Sequence, residues 1–406
     1  MSNTMPMGTR VKLSAMMFLQ FMMLPVWFLP MFPYVGGMPG GDKWAFWCGL
    51  IMAFGTVSSP LFGMFADRFM NSERVLALCN FVGAVLLGYA YTVKDPQTLF
   101  VVLLLVMLFY MPTWSLTATI AMSNSTTEAF PQIRVFGTLG WVASGVFSVV
   151  GMKLLFFAIR RPPTSTLSAG ATASRPGGVL AFFLPKTPPK AKGEPMSVAD
   201  ALGLRSLVLL KRPEFAFFTL FILLAMVPFM WYMVYNTAYL KEKGFQYLTL
   251  TTNLGQTFEL IFMLLIPMIL KKAGYKWAMV IGLAALTFRY AAFYLGASGI
   301  LPAGDFGGIL IHGLIFGLLI VGAQMYVDAK SPADLRGQAQ GLMGLIMFGL
   351  GTVLSNNVFD RLVKSCTKAD GTHDWSKPYL VALVMSAVLM VVMALLFNPR
   401  RDEQKA

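Results

Sequence analysis

The chain has 406 residues, of which 57% are hydrophobic and 12% charged, about half the charged share of an ordinary soluble domain. So many apolar residues come close to what twelve bilayer-crossing helices of about 20 residues each require, which argues against a water-soluble fold and for a polytopic membrane protein. The net charge of +14 comes from 32 basic residues dispersed through short connections without an exposed aromatic platform, so it reads as membrane topology and not as a nucleic-acid surface.

Apolar stretches bounded by charge or by Gly and Pro fall near 13–35, 44–66, 75–93, 98–120, 135–157, 168–185, 214–239, 247–270, 277–297, 306–327, 337–359 and 378–397. They predict an all-α membrane protein with twelve spans. The first stretch, Leu13 to Val35, is longer than a signal-peptide core and lacks a small-residue cleavage site, so it reads as a retained span. Asp67 and Arg68 in GMFADRFMNSER close span 2, and the spacing of Gly63 and Ala66 would admit a neighbouring helix. This pair reads as a cytoplasmic gate or hinge.

Span 5 opens with FPQIRVFGTLG. Arg134 there can fork onto a carboxylate or onto ligand oxygens. Thr138 follows one turn later, and Gly137 and Gly140 permit close backbone approach. The competing reading of Arg134 is an ordinary positive-inside residue. The segment Arg160 to Arg175 is polar, and Arg175-Pro176 falls inside span 6. A helix that begins late after an irregular loop is expected there, in preference to an Arg175 that faces the bundle interior. Lys186 to Arg212 then carries six basic residues and reads as a linker. It divides the chain into a six-helix half at 1–186, the linker at 187–212 and a second half at 213–406.

In the second half, Tyr235 and Asn236 lie near the outer end of span 7. They supply polar groups beside apolar rings, as a base or sugar site would, or they anchor a helix end. A carboxylate at the bilayer centre costs about 3 kcal/mol or more, so deep ionisable groups are functional candidates. Of 18 acidic residues, Glu259 in QTFELIFMLLIP alone lies far from a span end with apolar residues on both sides. Gln256 stands three residues before it on the same helical face. Arg289 in span 9 reads as a structural ion pair or a substrate contact. His312 reads as a satisfied helix histidine before a proton relay. Asp328 closes span 10 as a counterpart to Asp67, and Arg336 opens span 11.

An even number of spans puts both termini on one side. Nineteen of the 32 basic residues fall in the termini, the linker and the loops on that side, and eleven fall in the opposite loops. The positive-inside bias therefore predicts cytoplasmic termini. A weak repeat supports two related halves: Pro60 matches Pro267, and Pro131, Arg134 and Gly137 match Pro332, Arg336 and Gly337, each offset by six spans. Parallel six-helix repeats are the organisation of major facilitator transporters. Cys48, Cys79 and Cys366 form no metal-spaced or disulfide pattern. A phosphate-binding loop of the Walker type is absent, as are hydrolase and metalloprotease motifs. No cofactor is implied, and the protein is not expected to be an enzyme.

Several motifs together resemble the nucleoside:proton symporter family of the major facilitator superfamily. They are FLQF (18–21), GMFADR, YMPT (110–113), FPQIRVFGTLG (130–140), the Gln256 and Glu259 pair, Ile266 to Lys276, FRYAAFYLG (288–296) and Arg336 to Gly341. The resemblance runs through both halves. It implies uptake of a nucleoside with a proton through alternating access by a monomer in a bacterial inner membrane. It also implies substrate contacts from Arg134, Thr138, Gln256 and Glu259, with Tyr235 and Asn236 near the family's polar positions in span 7. Glu259 is the expected proton-coupling group, and Asp67, Arg68, Arg289, Asp328 and Arg336 are expected to serve gating or structure. Two departures stand out. Gly317 occupies the place of a family carboxylate in span 10, and span 1 reads FMMLPVWFLP where the family has a tryptophan-glycine pair. Other substrates on the same fold, sugars or an exported solute, are the competing reading. A membrane enzyme or sensor is the remote one.

Overall fold

The computed structural model describes residues 5–398, apart from 49, 127, 159–173, 194–196, 203 and 246–247. The first helices are α1 (Met7–Gly36), α2 (Asp42–Cys48), α3 (Ile51–Gly55), α4 (Ser59–Arg68), α5 (Ser72–Ala90), α6 (Pro96–Ser123) and α7 (Ala129–Ala158). They are followed by α8 (174–181), α9 (Val198–Ala201), α10 (Pro213–Glu242) and α11 (Leu248–Ala297). The last are α12 (Gly304–Leu310), α13 (His312–Ile315), α14 (Gly322–Lys330), α15 (Arg336–Gly344), α16 (Gly351–Ser365) and α17 (Ser376–Leu396). No strand occurs among the described residues.

Eight helical stretches among the described residues are long and apolar enough to cross a membrane. One of them, Leu254–Ala297, contains two arms, because Gly274 at φ 67° and ψ 176° breaks α11 between its Lys-rich segment and Tyr275. Only glycine adopts that backbone conformation without strain. The late start expected for span 6 falls partly outside the described residues. Within them, a helix runs over 174–181 and Arg175 on it is exposed, so it does not face the interior.

The chain forms two compact units. One comprises Met1–Leu207 with Lys330–Leu345, and the other Val208–Ala329 with Ile346–Ala406. In the first unit α6 carries Pro112 in mid-helix. Proline has no N–H to offer the carbonyl four residues earlier, which belongs to Leu108. The Ser58 hydroxyl, in the turn between α3 and α4, donates to that carbonyl at 2.5 Å. A neighbouring span thus satisfies the freed group, as hydrocarbon surroundings demand. Gly55 allows this approach, since a Cβ there would come within 2.7 Å of Met107. Glu73 at the start of α5 accepts from the Thr187 backbone N–H at 2.9 Å, and Asn124 at the end of α6 donates to the Thr187 hydroxyl at 2.9 Å. These bonds tie the stretch after α8 back onto α5 and α6.

In the second unit α17 shows how these helices meet their surroundings. Tyr379, Ala382, Ser386, Leu389 and Met393 are buried, at helical spacing. Leu380, Val381, Val384, Val388, Val391 and Leu395 are exposed. A soluble protein would place charge on that outer face, and hydrocarbon there is what a lipid surrounding selects. Trp231 of α10 stacks on Phe359 of α16 at 4.6 Å and meets Tyr379 edge-on at 4.8 Å, which fixes the centre of the unit.

Candidate functional site

Within the first unit, α1, α5 and α6 bring together a polar cluster in an otherwise apolar interior. Gln20 donates to the Thr113 hydroxyl at 2.6 Å and to the Asn80 carbonyl oxygen at 3.2 Å, and it accepts from the Asn80 amide at 3.1 Å. Tyr110 donates to the Gln20 carbonyl at 2.6 Å and receives the Trp114 indole N–H at 3.2 Å. The Trp114 ring lies 5.1 Å from that of Phe21, and the Arg134 guanidinium lies 3.9 Å from the centre of the Phe21 ring. A Cβ at Gly137 would collide with that guanidinium, so the glycine one turn along makes room for it. Arg134 and Thr138 are both buried. The sequence singled out Arg134 and Thr138 but not Gln20, Asn80, Thr113 or Trp114.

Within the second unit, Glu259 on the first arm of α11 is 4% exposed. Its Oε2 lies 3.8 Å from Nε2 of His312 on α13. α11 meets both α12 and α13 at backbone level here, because a Cβ at Gly313 would collide with the Glu259 backbone and one at Gly255 would come within 2.8 Å of the Ile309 carbonyl of α12. Nδ1 of His312 faces Nη2 of Arg289 at 2.9 Å, and Nε of Arg289 donates to the Gly308 carbonyl at 3.0 Å. The Arg289 guanidinium also lies 4.0 Å from the centre of the Tyr232 ring. The structural ion pair expected for Arg289 is replaced, among the described residues, by a carbonyl, an imidazole and an aromatic face.

The other expected residues of this unit fall into two kinds. Tyr235 donates to Asp360 of α16 at 3.1 Å and so ties α10 to its neighbour. Asn236 is 4% exposed, and neither its amide oxygen nor its nitrogen finds a partner among the described residues. The Gln256 side-chain oxygen is likewise buried without one. Buried amide groups left open in this way are uncommon and are what a polar solute can satisfy. At position 317, a Cβ would come within 2.5 Å of the Ile266 side chain. The place of the family carboxylate is thus packed with hydrocarbon.

At the end of α4 the charged residues form a third group. Asp67 accepts from the backbone N–H groups of Gly337 at 3.0 Å and Gln338 at 2.8 Å. It caps the start of α15, where the helix presents unpaired N–H groups and positive dipole charge. Gly63 and Gly337 face each other, and a Cβ on either would strike the other's backbone. Arg68 pairs with Asp200 of α9 at 2.9 Å, and Arg205 pairs with Asp334 at 3.0 Å. Burial would raise the Asp200 carboxyl, but donation from Ser197 and Arg68 outweighs it and holds the group below the usual carboxylate range. Arg336 begins α15, and Asp328 lies half-buried in the last turn of α14.

Apolar outer faces over buried charge mark these helices as membrane-spanning, and solved structures identify the arrangement as the major facilitator fold. The proton:xylose symporter XylE of that superfamily aligns over 96% of this chain and 96% of its own, with a TM-score of 0.69 and 11% identity. A mutant of the nucleoside transporter NupG aligns over 96% of this chain and 100% of its own, with a TM-score of 0.70 and 24% identity. The family model "Nucleoside H+ symporter" matches residues 7–402, and the chain belongs to that family. It is 34% identical to the putative nucleoside transporter YegT of Escherichia coli, over 98% of this chain and 96% of that one.

Proposed function

We propose that this protein imports nucleosides together with protons by alternating access, as a monomer in a bacterial inner membrane with both termini cytoplasmic. Membership of the family supports the substrate class and the coupling. The observation that carries the mechanism is Glu259, a carboxylate buried in a membrane helix against an imidazole. Such a group is retained where it handles cargo or charge. In this reading Glu259 takes the driving proton. Asn236, whose amide oxygen and nitrogen have no partner among the described residues, and Gln256, whose amide oxygen has none, hydrogen-bond ribose or base. Within the first unit, Arg134 and Thr138 are proposed as substrate-contacting residues in their own right, and within the second Tyr235 acts through Asp360.

The test is uptake of labelled uridine into proteoliposomes. Glu259→Gln should abolish accumulation driven by an inward proton gradient, while exchange of internal for external uridine survives. Gln256→Ala should weaken apparent affinity about tenfold, the scale of one lost hydrogen bond to a buried partner. Competition by adenosine and inosine but not by disaccharides is expected. Undiminished accumulation by Glu259→Gln, or competition by disaccharides alone, would reject the proposal.

A further inference from the structure

Arg289, His312 and Glu259 follow one another in contact, and the polarity of the hydrogen bond between the first two is fixed by chemistry. A guanidinium has only donors, so at 2.9 Å the Nδ1 of His312 must accept from Arg289. A neutral imidazole that accepts at Nδ1 carries its proton on Nε2. The Glu259 carboxylate lies beside that nitrogen, its Oε2 at 3.8 Å, an electrostatic contact longer than a hydrogen bond. From this arrangement we infer that His312 is a positioning residue for proton coupling: a neutral bridge that turns the charge of Arg289 into a directed donor toward Glu259, and not a stop on the proton's route.

Two features exclude the relay. Accepting a proton at Nε2 would require either the opposite tautomer, whose Nδ1–H would point at the guanidinium N–H, or an imidazolium in contact with a buried cation. Arg289 is wholly buried, its remaining contacts are the Gly308 carbonyl and the Tyr232 ring, and no carboxylate among the described residues touches it directly. The titratable groups facing His312 are Arg289 and Glu259 from the two arms of α11 and Tyr232 from α10, whose ring centre lies 5.7 Å away. The Phe229 and Phe316 rings also lie near it, at 6.0 and 6.1 Å. Close backbone contact at Gly313 keeps the imidazole beside Glu259. A donor held beside the carboxylate interacts with it differently before and after its proton leaves. The inference rests on Glu259 as the proton site.

The experiment compares wild type, His312→Gln, His312→Leu and Glu259→Gln as full-length protein in proteoliposomes, reading uridine accumulation and exchange against pH. Glutamine offers an acceptor and a donor in the same order but no titratable nitrogen. His312→Gln should therefore keep proton-driven accumulation within about twofold of wild type. His312→Leu should retain exchange, while the pH of half-maximal uptake rises by about one unit and accumulation falls about tenfold. If His312→Gln loses accumulation but keeps exchange, the ring carries the proton and the inference is wrong. If His312→Leu matches wild type, the bridge does nothing and the inference is again wrong. Should His312→Leu fail to fold, His312→Gln alone decides. Accumulation that persists in Glu259→Gln would instead overturn the assignment of the proton site itself.

Discussion

Gln20 is 1% exposed, and its amide is satisfied at both ends by Asn80 and Thr113. Removing one member of such a network leaves the others buried and unmatched, at about 1–3 kcal/mol for each orphaned group. Gln20→Leu should lower the thermal midpoint of the purified protein by several degrees, and Gln20→Leu with Asn80→Leu should recover part of the loss. A double variant as unstable as the sum of the single ones would show that the two amides act independently. The network was partly within reach of the sequence. Gln20 and Asn80 are lone amides in apolar spans, and Gln20 stands within the motif FLQF, but nothing in the sequence says that the two amides face each other. Arg289 was visible as a deep cation, whereas its partner was not. Pairing it with His312, 23 residues away on another helix, depends on the packing at Gly255 and Gly313.

Among the elements, α13 and the first arm of α11 depend on the smallest side chain. Gly313→Ala would place a methyl group into the Glu259 backbone. Overpacking of this kind costs about 1–3 kcal/mol, and the variant should show a lowered thermal midpoint together with a lowered rate of accumulation. Within the first unit, Asp200 holds Arg68 in a buried pair, and breaking such a pair by removing one partner costs about 3–5 kcal/mol. The Asp200 carboxyl sits below its ordinary range, so its contribution is fully present above the unfolded value near 4 and fades only as pH falls through the lower folded one. The difference in thermal midpoint between wild type and Asp200→Asn should therefore be the same at pH 8 and pH 5.5. A difference that shrinks at pH 5.5 would make this pair a second proton sensor. The small-residue approach at Gly63 was legible from its spacing. What Asp67 binds was not, because backbone N–H groups 270 residues away have no signature in side-chain chemistry.

Across the whole molecule, composition carried the fold class because a bilayer leaves few solutions: apolar helices must satisfy their own backbone. The apolar outer face of α17 and the hydroxyl that serves Pro112 are two forms of that constraint. The same constraint makes a buried carboxylate informative. Proton-coupled import requires that solute movement carry protons even when no gradient is imposed. A pH-sensitive dye sealed inside proteoliposomes reads this directly when uridine is added outside at equal pH. Wild type should acidify the lumen as uridine enters, and Glu259→Gln should not. Uridine entry with no change in lumenal pH, or equal acidification by Glu259→Gln, would contradict the account.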